Sequence, residues 1–317
     1  MNNILIICAG RRVNLYRFFI DELIKLKINT KIYCADSNPH LSAAAIYSKN
    51  YIKLKKTDEK GFIEDLKNKC LRFNISLIIP TTDNELLLLS NHEKEFKEID
   101  VTIIISNNKF VKNTSNKIKT KSIFDEILLN YPKIYKSKNE IIYPCYAKPI
   151  TGSSSKNNYI INNDLDYRYA KSKCKDLIFM KYLDEKKFTE YTIDLYYDKL
   201  GKLKILVARE RIEVRDGEVT KAITNMKISK RLWSNFSKIK EARGPVTAQV
   251  FVDNKNYKIY GIEINARFGG GYPLSYYANA NFILCILKEY IMNKKIIKNM
   301  IWKNKLKMLR YDQEIIC

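Results

Sequence analysis

From its first residues the chain alternates short apolar runs with stretches whose apolar positions recur every three to four residues. Ile4–Cys8, Lys31–Cys34, Leu77–Pro80 and Val101–Ile105 read as strands bounded by polar or turn-forming residues. Val13–Leu26 and Gly61–Phe73 carry the helical period between them. Strands buried on both faces and joined by helices predict a parallel sheet with right-handed crossovers.

A polar segment, Ser106-Asn107-Asn108-Lys109, marks a boundary. A helix over about Lys117–Leu129, a strand at Ile142–Lys148 and a small polar loop at Thr151–Asn157 follow. Next come a strand (Tyr159–Ile161), a helix (Leu165–Cys174) and a strand (Leu177–Tyr182). Beyond Tyr191 the alternation shortens to two residues. Tyr191–Tyr197, Leu203–Glu210, Val246–Val252 and Lys258–Asn265 read as antiparallel strands, and a terminal helix is predicted over about Leu274–Met292. The fold class is therefore α/β joined to α+β: a Rossmann-like parallel sheet over residues 1–106, then antiparallel sheets over 107–182 and 183–317.

The 317 residues, 46% of them hydrophobic, are enough for two or three packed units with real cores. No apolar run approaches the roughly 20 residues of a bilayer span, and the opening residues read as a strand rather than a signal peptide. Seven scattered cysteines without a CxxC pair predict reduced thiols in a cytoplasmic protein. A catalytic cysteine would need His40 or His92 as partner, and neither stands in a recognisable motif. The net charge of +23 can attract nucleic acid or a small anion such as a nucleotide. The lysines are spread along the chain without a basic tail or an aromatic–basic module, so the charge does not single out nucleic acid.

Gly10-Arg11-Arg12 stands where a strand hands over to a helix, and Asp36 closes the next strand. A dinucleotide fingerprint would need two further glycines that are missing. Asp36 is therefore expected to cap a turn, while the arginine loop remains able to contact an anionic substrate.

The sharpest feature lies late in the chain. Val246–Val252 and Lys258–Asn265 flank the polar turn Asp253-Asn254-Lys255-Asn256. A hairpin centred near Asn256 sets Gln249 opposite Glu263, and Asn265, two residues on, shares the face of Glu263. Three oxygen-bearing side chains then converge among Val250, Phe251, Ile262 and Ile264. Such a cluster can hold a hard cation; alternatively, Glu263 pairs with a Lys or Arg on a solvent face.

Gly244-Pro245-Val246-Thr247-Ala248-Gln249, followed by Glu263-Ile264-Asn265-Ala266-Arg267-Phe268-Gly269-Gly270-Gly271, resembles the metal-binding end of the ATP-grasp superfamily. It is most similar to the synthetase units of the carbamoyl phosphate synthase large subunit and their stand-alone relatives. The resemblance implies a pre-ATP-grasp domain (1–106), a small lobe with the phosphate loop (107–182) and a large lobe with the metal site (183–317). By resemblance, Gln249, Glu263 and Asn265 hold Mg²⁺ (or Mn²⁺), and Arg267 contacts the transferring phosphate or the acyl phosphate. Asn116-Lys117-Ile118-Lys119-Thr120 and Tyr146-Ala147-Lys148-Pro149 resemble segments whose lysines, here Lys117 and Lys148, touch ATP phosphates. Gly152-Ser153-Ser154-Ser155-Lys156 resembles the loop that folds over the triphosphate. Lys181, Tyr182 and Leu183 sit where the hinge receives adenine, and Glu190 where a carboxylate binds the ribose. Arg209-Glu210-Arg211 and Gly217-Glu218-Val219 resemble a strand pair near the acceptor carboxylate. Three departures stand out: no glycine follows the serines of the loop, Lys181 replaces an acidic or amide residue, and Asn116 replaces Asp.

The implied activity is that of a cytoplasmic ligase, dimeric in many such families. It would activate a small carboxylate as an acyl phosphate and join it to a small amine. A stand-alone synthetase subunit of the carbamoyl phosphate type and a non-catalytic ATP-binding regulator stay open.

Overall fold

In the computed structural model, residues 3–152, 157–215 and 217–317 are described. The N-terminal unit runs β1 (Asn3–Ile7), α1 (Val13–Lys25), β2 (Ile32–Asp36), α2 (Ala43–Ser48), β3 (Tyr51–Lys53), α3 (Phe62–Arg72), β4 (Ile75–Pro80), α4 (Asp83–Asn91), α5 (Glu93–Glu98) and β5 (Thr102–Ile103). All pairings are parallel, in the order β3-β2-β1-β4-β5. Every residue of β1 is buried because helices cover both faces. On α1, Leu15, Phe18, Phe19 and Leu23 form the buried stripe that a 3.6-residue period requires. Sequence periodicity located the long members of this unit; β3, α2, α4 and α5 are too short to generate a legible period.

At Ser106–Lys109, where the sequence suggests a boundary, a helix starts. Asn107 caps α6 (Asn108–Thr114), its side chain accepting from the Phe110 amide at 2.9 Å. Then come α7 (Lys117–Glu126), β6 (Ile134–Tyr135), β7 (Cys145–Pro149), β8 (Tyr159–Ile161), α8 (Asp164–Lys173) and β9 (Leu177–Lys181). The four strands form an antiparallel sheet in the order β6-β9-β7-β8.

The largest sheet contains β10 (Phe188–Tyr197), β11 (Leu203–Arg215), β12 (Glu218–Thr224), β13 (Gly244–Asp253), β14 (Ile259–Asn265) and β15 (Lys307–Leu309), with α9 (Met226–Phe236) inserted after β12. Its order is β14-β13-β10-β11-β12-β15, antiparallel throughout. One face, bearing Tyr191, Ile193, Leu195, Val246, Ala248, Val250 and Ile264, joins the main core. Helix α7 packs so closely on β14 that a Cβ at Gly261 would lie 2.2 Å from the Phe124 ring.

The continuous terminal helix is not found. It is broken into α10 (Tyr272–Tyr277), α11 (Phe282–Ile286) and a wider turn over Leu287–Ile291. Asn279 adopts a left-handed φ of 73°, and Asn281 caps α11 by accepting from the Leu284 amide. Asparagine stops one helix and starts the next here, a local hydrogen-bonding preference that overrides the apolar period.

Candidate functional site

Opposite residues of an antiparallel ladder share a face, so the strand registers define a polar row. Glu263 on β14 pairs with Gln249 on β13, Gln249 with Thr192 on β10, and Thr192 with Arg209 on β11. One step along, Asn265 pairs with Thr247, and Thr247 with Asp194. The hairpin thus brings Gln249, Glu263 and Asn265 onto one face, and Asn265 Nδ2 donates to Glu263 Oε1 at 3.0 Å. Among the described residues no Lys or Arg forms an ion pair with Glu263, so it does not follow the solvent-face alternative.

A bulge completes this corner. The register slips between Gln249 and Val250, leaving Ile262 without a cross-strand partner. Its carbonyl accepts from Lys148 Nζ at 3.2 Å and from the Tyr131 hydroxyl at 3.4 Å. Lys148 lies on β7, with its aliphatic stem buried. Burial pushes its ammonium down to about 8, and nearby Lys117 adds to this, while Glu263 opposes both. Tyr146 projects from the same face of β7, two residues away, and senses Glu263, Glu190 and Tyr182. Lys117 opens α7 behind Asn116, whose side chain accepts from the amides of Ile118 and Lys119. Its Nζ reaches the Gly152 carbonyl at 2.9 Å, and burial lowers its affinity for the proton against the pull of Glu263 and Asp83.

Arg267 is held by Asp83 of α4 through two bonds of 2.8 and 2.5 Å. Burial disfavours the Arg267 charge, but Asp83 more than compensates and its proton is held more tightly than usual. Asp83 is placed by a capping box: Glu85 accepts from the amides of Thr81 and Thr82 at 2.9 and 2.8 Å. Thr82-x-x-Glu85 was a readable helix-start signal, yet nothing local told that Asp83 would meet Arg267, 184 residues away. Asp36 accepts from the Gly10 amide at 3.2 Å and from Asn38, so it clamps the arginine loop. Beside that loop a cavity of about 440 Å³ is lined by Cys8, Asp36, Lys55 and Asn84.

The remaining candidates fall into place unevenly. Glu190 meets Arg211 Nε at 3.0 Å, close in distance though too poorly aligned for a hydrogen bond. Burial raises the Glu190 carboxyl, Arg211 lowers it and Glu263 raises it again. The Lys181 amide is spent on the Lys133 carbonyl and its side chain is exposed; Tyr182 is half-buried and Leu183 buried. Ser153, Ser154 and Ser155, with Lys156, lie outside the described residues; Gly152 is exposed with φ 110°. Arg209, expected near an acceptor, is instead fully buried against Asp194 at 2.7 and 3.0 Å. Ser275 also donates to Asp194, and a Cβ at Gly271 would lie 2.3 Å from Arg209 Nη1. All seven cysteines are free, and burial followed by Glu85 raises the Cys8 thiol far from reactivity.

One carboxylate and two amides on one face form a donor set suited to a hard cation that keeps further positions for ligand oxygens. Among the described residues no cluster of three or more His, Cys, Asp or Glu could hold a metal without such help. No helix among them is long and apolar enough to cross a membrane.

Two family models match the chain: "PylC-like, N-terminal domain" over residues 4–104 and "ATP-grasp in the biosynthetic pathway with Ter operon" over 173–312. No curated protein matches. Among solved structures, the biotin carboxylase domain of Hydrogenobacter thermophilus 2-oxoglutarate carboxylase, determined with MgADP and bicarbonate, superposes with a TM-score of 0.77 at 15% identity, covering 96% of this chain and 73% of that one. N5-carboxyaminoimidazole synthetase from Staphylococcus aureus with ADP gives 0.71 at 16%, covering 93% and 78%. An L-amino acid ligase from Bacillus licheniformis gives 0.67 at 17%, covering 92% and 74%. With a parallel-sheet domain leading into two antiparallel sheets, the chain shares the fold of these structures, and it resembles the PylC-like N-terminal domain over residues 4–104 and the ATP-grasp family over residues 173–312.

Proposed function

We propose that the protein is an ATP-dependent ligase that forms a C–N bond between a small carboxylate and a small amine. The observation that carries this reading is the meeting of Gln249, Glu263 and Asn265 with Lys148 and Lys117, next to Arg267 fixed by Asp83. Glu263, Asn265 and Gln249 would hold Mg²⁺. When bound, that ion would neutralise charge on phosphate oxygens.

The chain's own groups do the rest. Lys117 and Lys148 supply fixed positive charge to the triphosphate, and Glu190, oriented by Arg211, accepts from the ribose hydroxyls. The stretch 181–183 borders the adenine. A substrate carboxylate oxygen attacks the γ-phosphorus as the bond to ADP breaks. The amine nitrogen then attacks the acyl carbon, phosphate leaves, and the amine loses a proton. Arg267 is positioned to face the transferring phosphoryl group, since Asp83 fixes its plane. Phosphoryl transfer depends on such positioning and charge neutralisation more than on covalent help. The solved ligases and carboxylases of similar fold support this chemistry. A homodimer fits the reading.

ADP release with MgATP and panels of carboxylates and amines tests it. Turnover should require both cosubstrates. Glu263→Gln and Arg267→Ala should each lower the rate about a hundredfold or more, near 3 kcal/mol, with the fold intact. Nucleotide binding without turnover on any pair would identify a regulator instead, and a response to bicarbonate a synthetase of the carbamoyl phosphate type. Undiminished turnover in either variant would overturn the assignments.

A further inference from the structure

Two guanidinium groups, Arg12 and Arg310, flank Gly270, and two more, Arg11 and Arg267, lie close by in the chain and through shared partners. Arg310, just after β15, donates to the Gly270 carbonyl at 2.7 Å. A Cβ on Gly270 would lie 3.9 Å from Arg12 Nη1 and 3.9 Å from the Glu218 carboxyl carbon. Glu218 binds Arg310 at 2.7 Å and Arg11 at 2.9 Å. Arg267, three residues before Gly270, is occupied by Asp83. Glu218 thus serves two of these cations, Arg11 and Arg310, and Asp83 serves Arg267. The nearby Glu85 is buried and already spent on backbone amides.

Arg12 is the unbalanced member. It is half-buried, and among the described residues its guanidinium donates to a neutral acceptor, the Thr81 carbonyl, at 3.2 Å. Burial, then Arg267, weakens its hold on the proton to about 10, Arg310 adds to that, and Glu218 and Asp83 only partly offset it. A guanidinium is held this way at a cost unless an anion completes it, and its planar fork matches carboxylate or phosphoryl oxygens. A cavity lined by Cys8, Asp36, Lys55, Lys56, Asp58 and Asn84 lies at the start of the same loop, beyond Cys8.

Building on the proposed ligase function, we infer that Arg12 and Arg310 form a subsite for a second anionic group on the amine substrate, which is thus an acidic amine carrying a carboxylate or phosphoryl group beyond the reacting centre. The alternative is that these arginines only clamp the N-terminal unit to the large sheet.

The two are separated by binding measurements on the full chain saturated with Mg²⁺ and a non-hydrolysable ATP analogue. The probes are L-glutamate against L-glutamine, and O-phospho-L-serine against L-serine. The anionic member of at least one pair should bind tenfold or more tightly than its neutral counterpart. The pair that shows the preference tells carboxylate from phosphoryl. Arg12→Gln should erase that preference and Arg12→Lys restore part of it, with analogue affinity in both within about twofold of wild type, which also certifies their folding. Equal affinity for charged and neutral probes, no binding of any probe, or a preference that survives Arg12→Gln would overturn the subsite. Failure of wild type to bind the nucleotide analogue would instead remove the ligase reading, and the subsite with it.

Discussion

Lys148 shows how one residue is prepared for a ligand. Its ammonium is buried beside a second lysine and rests on a neutral carbonyl, so it holds its proton only up to about pH 8. A triphosphate favours the charged form and would draw the proton back. MgATP binding near pH 8 to 9 should therefore take up a proton, and the uptake should fade well below pH 8, where Lys148 is already charged. Calorimetry in two buffers of different ionisation heat reads this directly. Lys148→Met should abolish the uptake, and none in wild type would show that the lysine does not meet the nucleotide. At this scale much of the site was legible. Gln249, Glu263 and Asn265 follow from a two-residue period and a polar turn. Asp83, Arg12 and Tyr131 were not legible as partners, because each acts across packing between units that no local pattern encodes.

Among the elements, the large sheet carries its chemistry as rows that cross the strands. Thr192, flanked by Gln249 and Arg209, belongs to the row only through register, so strand patterns alone did not reveal it. The long strands were readable because alternation persists over many residues, whereas β15 spans three and joins the sheet through pairing with β12. At the end of the row, Arg209 forms a buried ion pair with Asp194, one step along the same face. Arg209 and Asp194 have side chains 1% exposed each, and Arg209 Nη1 finds no hydrogen-bond partner. Asp194→Ala should destabilise the protein by about 3–5 kcal/mol, because it strands a buried charge. Replacing both members together, Arg209→Met with Asp194→Leu, should cost much less. Denaturant melts of the two variants decide the point, and equal losses would contradict it.

Across the whole molecule, the contacts that join its parts differ in weight. Arg11 and Glu218 bridge the N-terminal unit to the large sheet, but their side chains are 85% and 47% exposed. Water and salt screen such pairs. Glu218→Gln should therefore change unfolding free energy by less than about 1 kcal/mol, even though it touches two arginines. A larger loss in a urea titration would mean that Glu218 holds the units together. The joining work falls mainly to shared apolar cores, which mix residues from the parallel sheet, α7 and the large sheet. The bulged carbonyl of Ile262 gives the assembly one more property. It berths the lysine of the four-stranded sheet on the six-stranded sheet through a neutral acceptor, with the Tyr131 hydroxyl lying between that oxygen and the Lys117 carbonyl. A nucleotide arriving there can take the lysine without breaking an ion pair, so trading that berth for a phosphate asks little of the protein.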